Sequence, residues 1–146
     1  MHSTGDLMAE INIIPVGMVS SPFKERGDAP RQGRLTDELS KITICPEFAD
    51  ALFGLSEGDD IFIFCWFNRS DRSVLQAHIC GDETRPIKGV FASRSPNRPN
   101  PVSLTLVKLV KIERNVLTVR GLEAFDGTPV VDIKPYSEQF DIPRTE

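Results

Sequence analysis

Apolar residues fall in short runs divided by stretches rich in proline, glycine and charge, a pattern of strands and turns rather than of long helices. Residues 11–20 (INIIPVGMVS) are β-branched and apolar, and Pro15 marks this segment as an edge strand or a bulge. Residues 41–45 (KITIC) alternate as a half-buried strand does. Residues 61–67 (IFIFCWF) are continuously apolar, as in a strand buried on both faces or one in a closed barrel. Phe62, Phe64, Trp66 and Phe67 are accordingly assigned to the core. Two further strands are predicted over 74–80 and 87–92. Residues 102–112 (VSLTLVKLVKI) place Val102, Leu104 and Leu106 on one face, and the phase breaks at Val107-Lys108, predicting a bulge or bend. Asn115 marks a hairpin turn, residues 116–123 return as its partner strand, and 130–134 form the last strand.

One helix is predicted, over 47–55, with Pro46 at its first turn and Gly54 near its end. Phe48, Ala51, Leu52 and Leu55 form its apolar face. The expected architecture is mainly β: a single-domain β-barrel over residues 11–141, with one short helix. Residues 1–10 form a flexible lead and 142–146 a tail. The pattern contains no GxGxxG, no P-loop and no long βαβ alternation, which excludes the common nucleotide-binding folds.

The loops carry the candidate chemistry. Residues 89–101 (GVFASRSPNRPNP) hold Pro96, Pro99 and Pro101, which forbid a central strand and stiffen the segment. Arg94 and Arg98 project from it, and a guanidinium presents a planar fork of donors suited to carboxylates and phosphates. Residues 21–33 (SPFKERGDAPRQG) end in a similar device, a proline-stiffened Arg31 beside Gln32. Asp126-Gly127-Thr128-Pro129 reads by itself as a turn. His78 is a lone mid-strand histidine, the pattern of a packed or solvated residue rather than a catalyst. Asp132 and Lys134, two apart on a strand, share a face that Tyr136 can join. Those three read equally as a structural ion pair with a capping tyrosine or as a set that orients substrate and relays a proton.

Composition narrows the classes. The chain has 146 residues, 40% of them hydrophobic and 26% charged, which suits one soluble domain with a real core. No apolar run approaches the ~20 residues of a membrane span, and the N-terminus lacks the basic-then-apolar order of a signal peptide. Three widely spaced cysteines, Cys45, Cys65 and Cys80, fit a reducing cytoplasmic setting. With only two histidines in the chain, no metal site is expected. The net charge of −4 argues against a uniformly basic nucleic-acid coat. Basic residues nevertheless gather in the loops, at Lys24, Arg26, Arg31 and Arg34 and again at Arg69, Arg72, Arg85, Lys88, Arg94 and Arg98.

Two long motifs, GVFASRSPNRPNPVSLTLVKL and AFDGTPVVDIKPY, together with PRQG at residues 30–33, resemble the TsaA/TrmO (YaeB-like) family over roughly residues 13–141. The resemblance implies a β-barrel S-adenosyl-L-methionine-dependent methyltransferase acting as a homodimer. Its implied substrate is N6-threonylcarbamoyladenosine at position 37 of tRNA, beside the anticodon, methylated on N6. Bacterial members often carry an added C-terminal RNA-binding domain, and this sequence ends shortly after the DIKPY motif. Three positions depart from the family pattern: Asn68 stands where histidine is usual, Ser103 where many members have glycine, and Asn97 at a variable position that carries little weight.

Carried over motif by motif, the resemblance implies cofactor contacts from Pro30, Arg31, Gln32, Asn68, Arg69, Arg94, Asp126, Gly127, Thr128 and Pro129. Arg98, Arg72 and Lys88 are candidates for the substrate carboxylate or the phosphates of the anticodon loop. The catalytic group is left open, with Asp132, Lys134 and Tyr136 as candidates. Two other readings stand beside this one. The same cofactor site could serve a different RNA or small-molecule acceptor, or the chain could be a non-catalytic β-barrel module that binds an anionic ligand. Few basic residues and no added domain predict weak, salt-sensitive RNA affinity.

Overall fold

The computed structural model describes residues 10–23 and 38–145. Six strands close into an antiparallel barrel: β1 (Gly17–Ser20), β2 (Leu39–Ile44), β3 (Asp60–Cys65), β6 (Thr105–Glu113), β7 (Val116–Arg120) and β8 (Pro129–Pro135). The order around the wall is β1-β2-β7-β6-β3-β8. Between β3 and β6 the chain leaves the wall and forms a two-stranded ribbon of β4 (Gln76–His78) and β5 (Ile87–Gly89). The mainly β barrel expected from the sequence is the fold observed.

Period-two alternation builds the wall. Along β2, Ser40, Ile42 and Ile44 point inward, while Leu39, Lys41 and Thr43 point outward. Ile61, Ile63 and Cys65 of β3 meet Val107 and Leu109 of β6, Leu117 and Val119 of β7, and Val130 of β8 in one core. Burying each such aliphatic side chain contributes about 1.5–3 kcal/mol. Gly17 is needed where β1 crosses β2, because a Cβ there would lie 2.7 Å from the Thr43 carbonyl oxygen.

Several elements differ from the sequence expectation. Pro15 precedes β1 instead of bulging it, and β1 is no edge, since it pairs with both β2 and β8. Closure removes the edge that the proline would otherwise have marked. The helix predicted over 47–55 is a 3₁₀ turn, Pro46–Leu52, with no buried residue. A segment this short gains little from α-helical propagation and tightens to i→i+3 bonding, as in Phe53 N–H to the Asp50 carbonyl. Phe48, Leu52 and Leu55 still pack on the core, whereas Ala51 is exposed.

The aromatic strand also departs from expectation. Phe62, Phe64 and Trp66 lie on the outward face and are half-buried, while Phe67 packs against the core. In a closed barrel one face of every strand must point away from the axis, so an all-apolar run is split between interior and exterior. The Phe62 ring centroid lies 6.5 Å from Phe64 and 6.1 Å from Tyr136. In β6 the inward row is Thr105, Val107 and Leu109, with Leu106 on the other face. Val102 and Leu104 precede the strand and are partly exposed, each 38%. The register slips between Leu109 and Lys111, beyond the predicted break at Val107-Lys108. Just before the tail lies a single helical turn, α1 (Glu138–Asp141).

Antiparallel closure sorts the connections onto two rims. β1, β3 and β7 end at the same rim where β2, β6 and β8 begin. The β1–β2, β3–β6 and β7–β8 connections therefore all open there. The opposite rim holds the 3₁₀ turn, the β6–β7 hairpin at Asn115 and the end of β8 at Pro135.

Candidate functional site

The first of these rims is built around the 126–129 turn. Gly127 adopts a φ of 85°, where a side chain would be strained, so the turn can reverse tightly into β8. Asp126 N–H donates to the Phe23 carbonyl at 2.7 Å, and Gly127 N–H to the Val19 carbonyl at 2.8 Å. Ser21 N–H in turn donates to Asp126 Oδ1 at 3.0 Å. Thr128 is buried, and its hydroxyl closes on the Phe125 carbonyl at 2.7 Å. The turn is thus stitched to the end of β1. An open depression lined by Ser20, Ser21, Lys41, Thr118 and Asp126 lies beside it.

β3 delivers the second component. Trp66 N–H reaches the Pro129 carbonyl at 3.0 Å, and Phe67 N–H the Pro101 carbonyl at 2.8 Å. Two residues on, Arg69 places its guanidinium 4.2 Å from the centroid of the Phe125 ring. Asn68 is exposed beside it, with its backbone N–H turned back on the Trp66 carbonyl.

The proline-rich loop is the third. Arg98 donates to the carbonyls of Ser93 at 3.2 Å, Ser95 at 3.1 Å and Val90 at 2.5 Å. Arg72 donates through Nε to the Pro99 carbonyl at 2.7 Å and through Nη2 to Asn100 Oδ1 at 3.1 Å, with its guanidinium 5.1 Å from the Trp66 ring centroid. Asp71 N–H reaches Asn97 Oδ1 at 2.9 Å. Arg72 and Asp71 tie segment 68–73 to segment 90–100, and Arg98 holds the latter on itself. Arg94 is exposed on the same loop, and its charge reaches Glu123 in the β7–β8 connection. Burial pushes the Glu123 carboxyl up to about 7, against the opposing pull of the Arg94 charge.

A profile of the tRNA-methyltransferase O N-terminal domain matches residues 18–142. The chain belongs to the TrmO family. It is 50% identical over 132 residues to a probable S-adenosyl-L-methionine-binding protein of Methanothermobacter thermautotrophicus, covering 90% of this chain and 94% of that one. It is 45% identical to an S-adenosyl-L-methionine-binding protein of Archaeoglobus fulgidus, over 87% and 90% of the two chains. The crystal structure of TrmO from Pseudomonas aeruginosa superposes with a TM-score of 0.73 at 30% identity, over 91% of this chain and 58% of that chain. This chain therefore spans a little over half the length of that TrmO.

Of the residues singled out from the TrmO-like motifs, Asn68, Arg69, Arg94, Asp126, Gly127, Thr128 and Pro129 meet at one rim. Pro30, Arg31 and Gln32 lie outside the described residues. The residues on either side of that stretch are bonded at this rim, Phe23 to Asp126 and Glu38 to Gly121. Lys88 is exposed on the β4–β5 ribbon. Asp132 and Lys134 lie on the outer wall opposite Phe64 and Phe62, with Lys134 Nζ 4.0 Å from Asp132 Oδ2. Tyr136 sits at the far rim, its N–H on the Asp60 carbonyl. Seven residues of extended chain separate Tyr136 from Pro129, about 23 Å. His78 has Nδ1 2.8 Å from the Arg85 carbonyl. Among the described residues, no group of three His, Cys, Asp or Glu side chains could hold a metal ion. No helix among them is long and apolar enough to cross a membrane.

Sequence reading missed two residues of the rim, Glu123 and Phe125. The available signal was a charged residue inside the otherwise apolar LEAF run just before the DG turn.

Proposed function

We propose that this chain is an S-adenosyl-L-methionine-dependent methyltransferase that methylates N6 of threonylcarbamoyladenosine at position 37 of tRNA. The observation that carries the reading is topological: the β1–β2, β3–β6 and β7–β8 connections, which hold the family motifs, open at one barrel rim. The names of the archaeal relatives supply the cofactor, and the family supplies the reaction.

The donor set fits such a cofactor. Two guanidinium groups, Arg69 and Arg94, suit a methionine carboxylate. The carboxylates of Glu123 and Asp126 balance the positive charge of an ammonium and a sulfonium. The backbone of the Asp126–Pro129 turn can read a ribose or an adenine edge, and Asn68, Pro30, Arg31 and Gln32 would complete the wall. When bound, the cofactor supplies an electrophilic methyl group. The contribution of the protein is to hold that group in line with an acceptor nitrogen and to exclude competing water, so that positioning is the main catalytic term. The bonded network of Arg98 and Arg72 keeps the Arg94 loop stiff and limits the entropy lost on binding.

One observation favours a second reading, the same cofactor site with a different acceptor. Arg98 and Arg72, candidates for RNA phosphates, direct their guanidinium groups onto loop carbonyls and Asn100. RNA affinity is therefore expected to be weak and salt-sensitive. In this proposal the enzyme works in the cytoplasm as a homodimer that engages the anticodon loop. Exposed Leu75, Ile87 and Phe91 on and beside the ribbon offer apolar surface to a partner, and light scattering tests the dimer.

The deciding experiment is incubation with radiolabelled S-adenosyl-L-methionine and tRNA, with and without the threonylcarbamoyl group. Label entering only the modified tRNA, and lost in Arg94→Ala, is the expected result. Cofactor binding without transfer to RNA would move the assignment to another acceptor. Neither binding nor transfer would leave a non-catalytic module.

A further inference from the structure

Arg72 and Arg98, the arginines that the sequence offers for RNA phosphates, bind loop carbonyls and Asn100 instead. The outer wall of β2, β7 and β6 carries a different set of cations. Its outward positions hold Lys41 on β2, Arg120 on β7, and Lys108 and Lys111 on β6, all exposed.

The pairing register fixes how these charges stand. Arg120 lies opposite Leu39 on one side and Lys108 on the other, while Lys41 lies opposite Ser20 and Thr118. Neighbouring strands run about 4.8 Å apart and alternate residues about 6.8 Å, which separates the Lys41 and Arg120 Cα atoms by about 8 Å. Arg120 and Lys108 are like charges in directly opposed positions, an arrangement that destabilises a sheet. Lys108 is held by Asp60 at 2.7 Å and by the Gly58 carbonyl at 3.2 Å, and Lys111 by Glu113 at 3.3 Å. Among the described residues, no hydrogen bond or ion pair engages the Lys41 or Arg120 side chain. On the β3–β8 side of the wall, Asp132 and Lys134 offset each other. A positive surplus thus sits on one side of a chain of net charge −4.

This surplus is continuous with the motif-bearing rim. Arg120 ends β7 there, directly opposite the start of β2. Lys41, Thr118, Ser20 and Ser21 line the open depression beside the 126–129 turn. Asp126, which also lines it, accepts the Ser21 N–H. Ammonium and hydroxyl donors therefore lead from the outer wall into the rim.

We propose that this face of β2 and β7 carries the phosphate backbone of the RNA acceptor, with Lys41 and Arg120 as its contacts. The proposal rests on the tRNA reading above. Phosphate contacts position a strand and carry no sequence information, so the wall sets where the acceptor enters and leaves choice of the base to the rim. Two contacts on an otherwise acidic chain make the binding weak and dependent on salt.

The test measures binding of threonylcarbamoyl-modified tRNA by fluorescence anisotropy from about 50 to about 200 mM salt. The double variant Lys41→Gln/Arg120→Gln should bind roughly tenfold more weakly at the low end. Its log–log salt slope should be shallower by about 1.4, two contacts at about 0.7 each for a single-stranded loop. Calorimetric S-adenosyl-L-methionine affinity should stay within about twofold. Tm should not fall, because neutralising Arg120 removes its repulsion with Lys108. The control Arg114→Gln/Arg144→Gln removes the same charge from the far-rim hairpin and the tail, and should keep the wild-type slope. A wild-type slope in the Lys41→Gln/Arg120→Gln variant overturns the proposal. So does an equal loss in both double variants, which would leave net charge alone as the cause. Wild type that binds cofactor but no tRNA removes this face and leaves a methyltransferase with another acceptor. Wild type that shows the expected slopes but transfers no methyl group keeps this face and removes the reaction.

Discussion

The Arg69 guanidinium and the Phe125 ring, 56 positions apart in sequence, stack at 4.2 Å and join the exit of β3 to the approach of the turn before β8. A cation over an aromatic face contributes about 0.5–2 kcal/mol, depending on how far it is withdrawn from water. Here the stack also holds a guanidinium next to the turn that begins at Asp126.

Phe125→Leu keeps apolar volume but removes the ring face. It should weaken S-adenosyl-L-methionine binding by about 3–10-fold, matching the lower part of that energy range, and leave the barrel folded. Calorimetric titration with a parallel Tm measurement checks this, and unchanged affinity would remove Arg69 from the cofactor wall.

Arg98 acts on the loop from within. Arg98→Ala takes the guanidinium from the Ser93 and Ser95 carbonyls, and leaves the Val90 carbonyl only its bonds from Ser93. A cost of about 1–3 kcal/mol is expected, seen as a lower Tm. Arg98→Lys should recover little, because an ammonium cannot reproduce the planar fork. Hydrogen exchange should show faster opening confined to residues near 90–100.

Glu123 predicts a pH dependence of stability. Its folded pKa is raised by burial, so the folded state holds the proton more tightly than the unfolded chain. The associated stability is fully present below the unfolded value of 4.5 and is lost as pH rises to about 7. Relative to wild type, Glu123→Gln should gain a few degrees in Tm between pH 4.5 and pH 8. Parallel melts at those two pH values measure the difference.

The three cysteines should differ sharply in reactivity. Burial pushes the Cys65 thiol up to about 12, although a hydrogen bond with Ser103 opposes the shift, while Cys80 is exposed and Cys45 half-exposed. Only the thiolate is nucleophilic. Maleimide at pH 8 should label Cys80 first, then Cys45, and reach Cys65 only after denaturation, as read by peptide mass spectrometry.

Much of this architecture was legible before any coordinates. Short apolar runs between proline- and glycine-rich turns announced a barrel, because period-two alternation is a local property that each strand carries for itself. Motif order pointed in the same way to Arg94 and the Asp126–Pro129 turn, since those segments are contiguous in sequence. The helical spacing over 47–55 forms a 3₁₀ turn instead, because spacing alone does not separate a short α-helix from one. The aromatic run is divided between the two faces, because a string of apolar residues does not say which of them face the axis. Closure decided that, sending Ile61, Ile63 and Cys65 inward and Phe62, Phe64 and Trp66 outward. Closure also decided that three distant connections share one rim, and that Tyr136 lies on the other. Glu123 carried no strong signal of its own, because the burial that sets its proton affinity and the Arg94 charge that opposes it come from residues brought together only by the closed barrel.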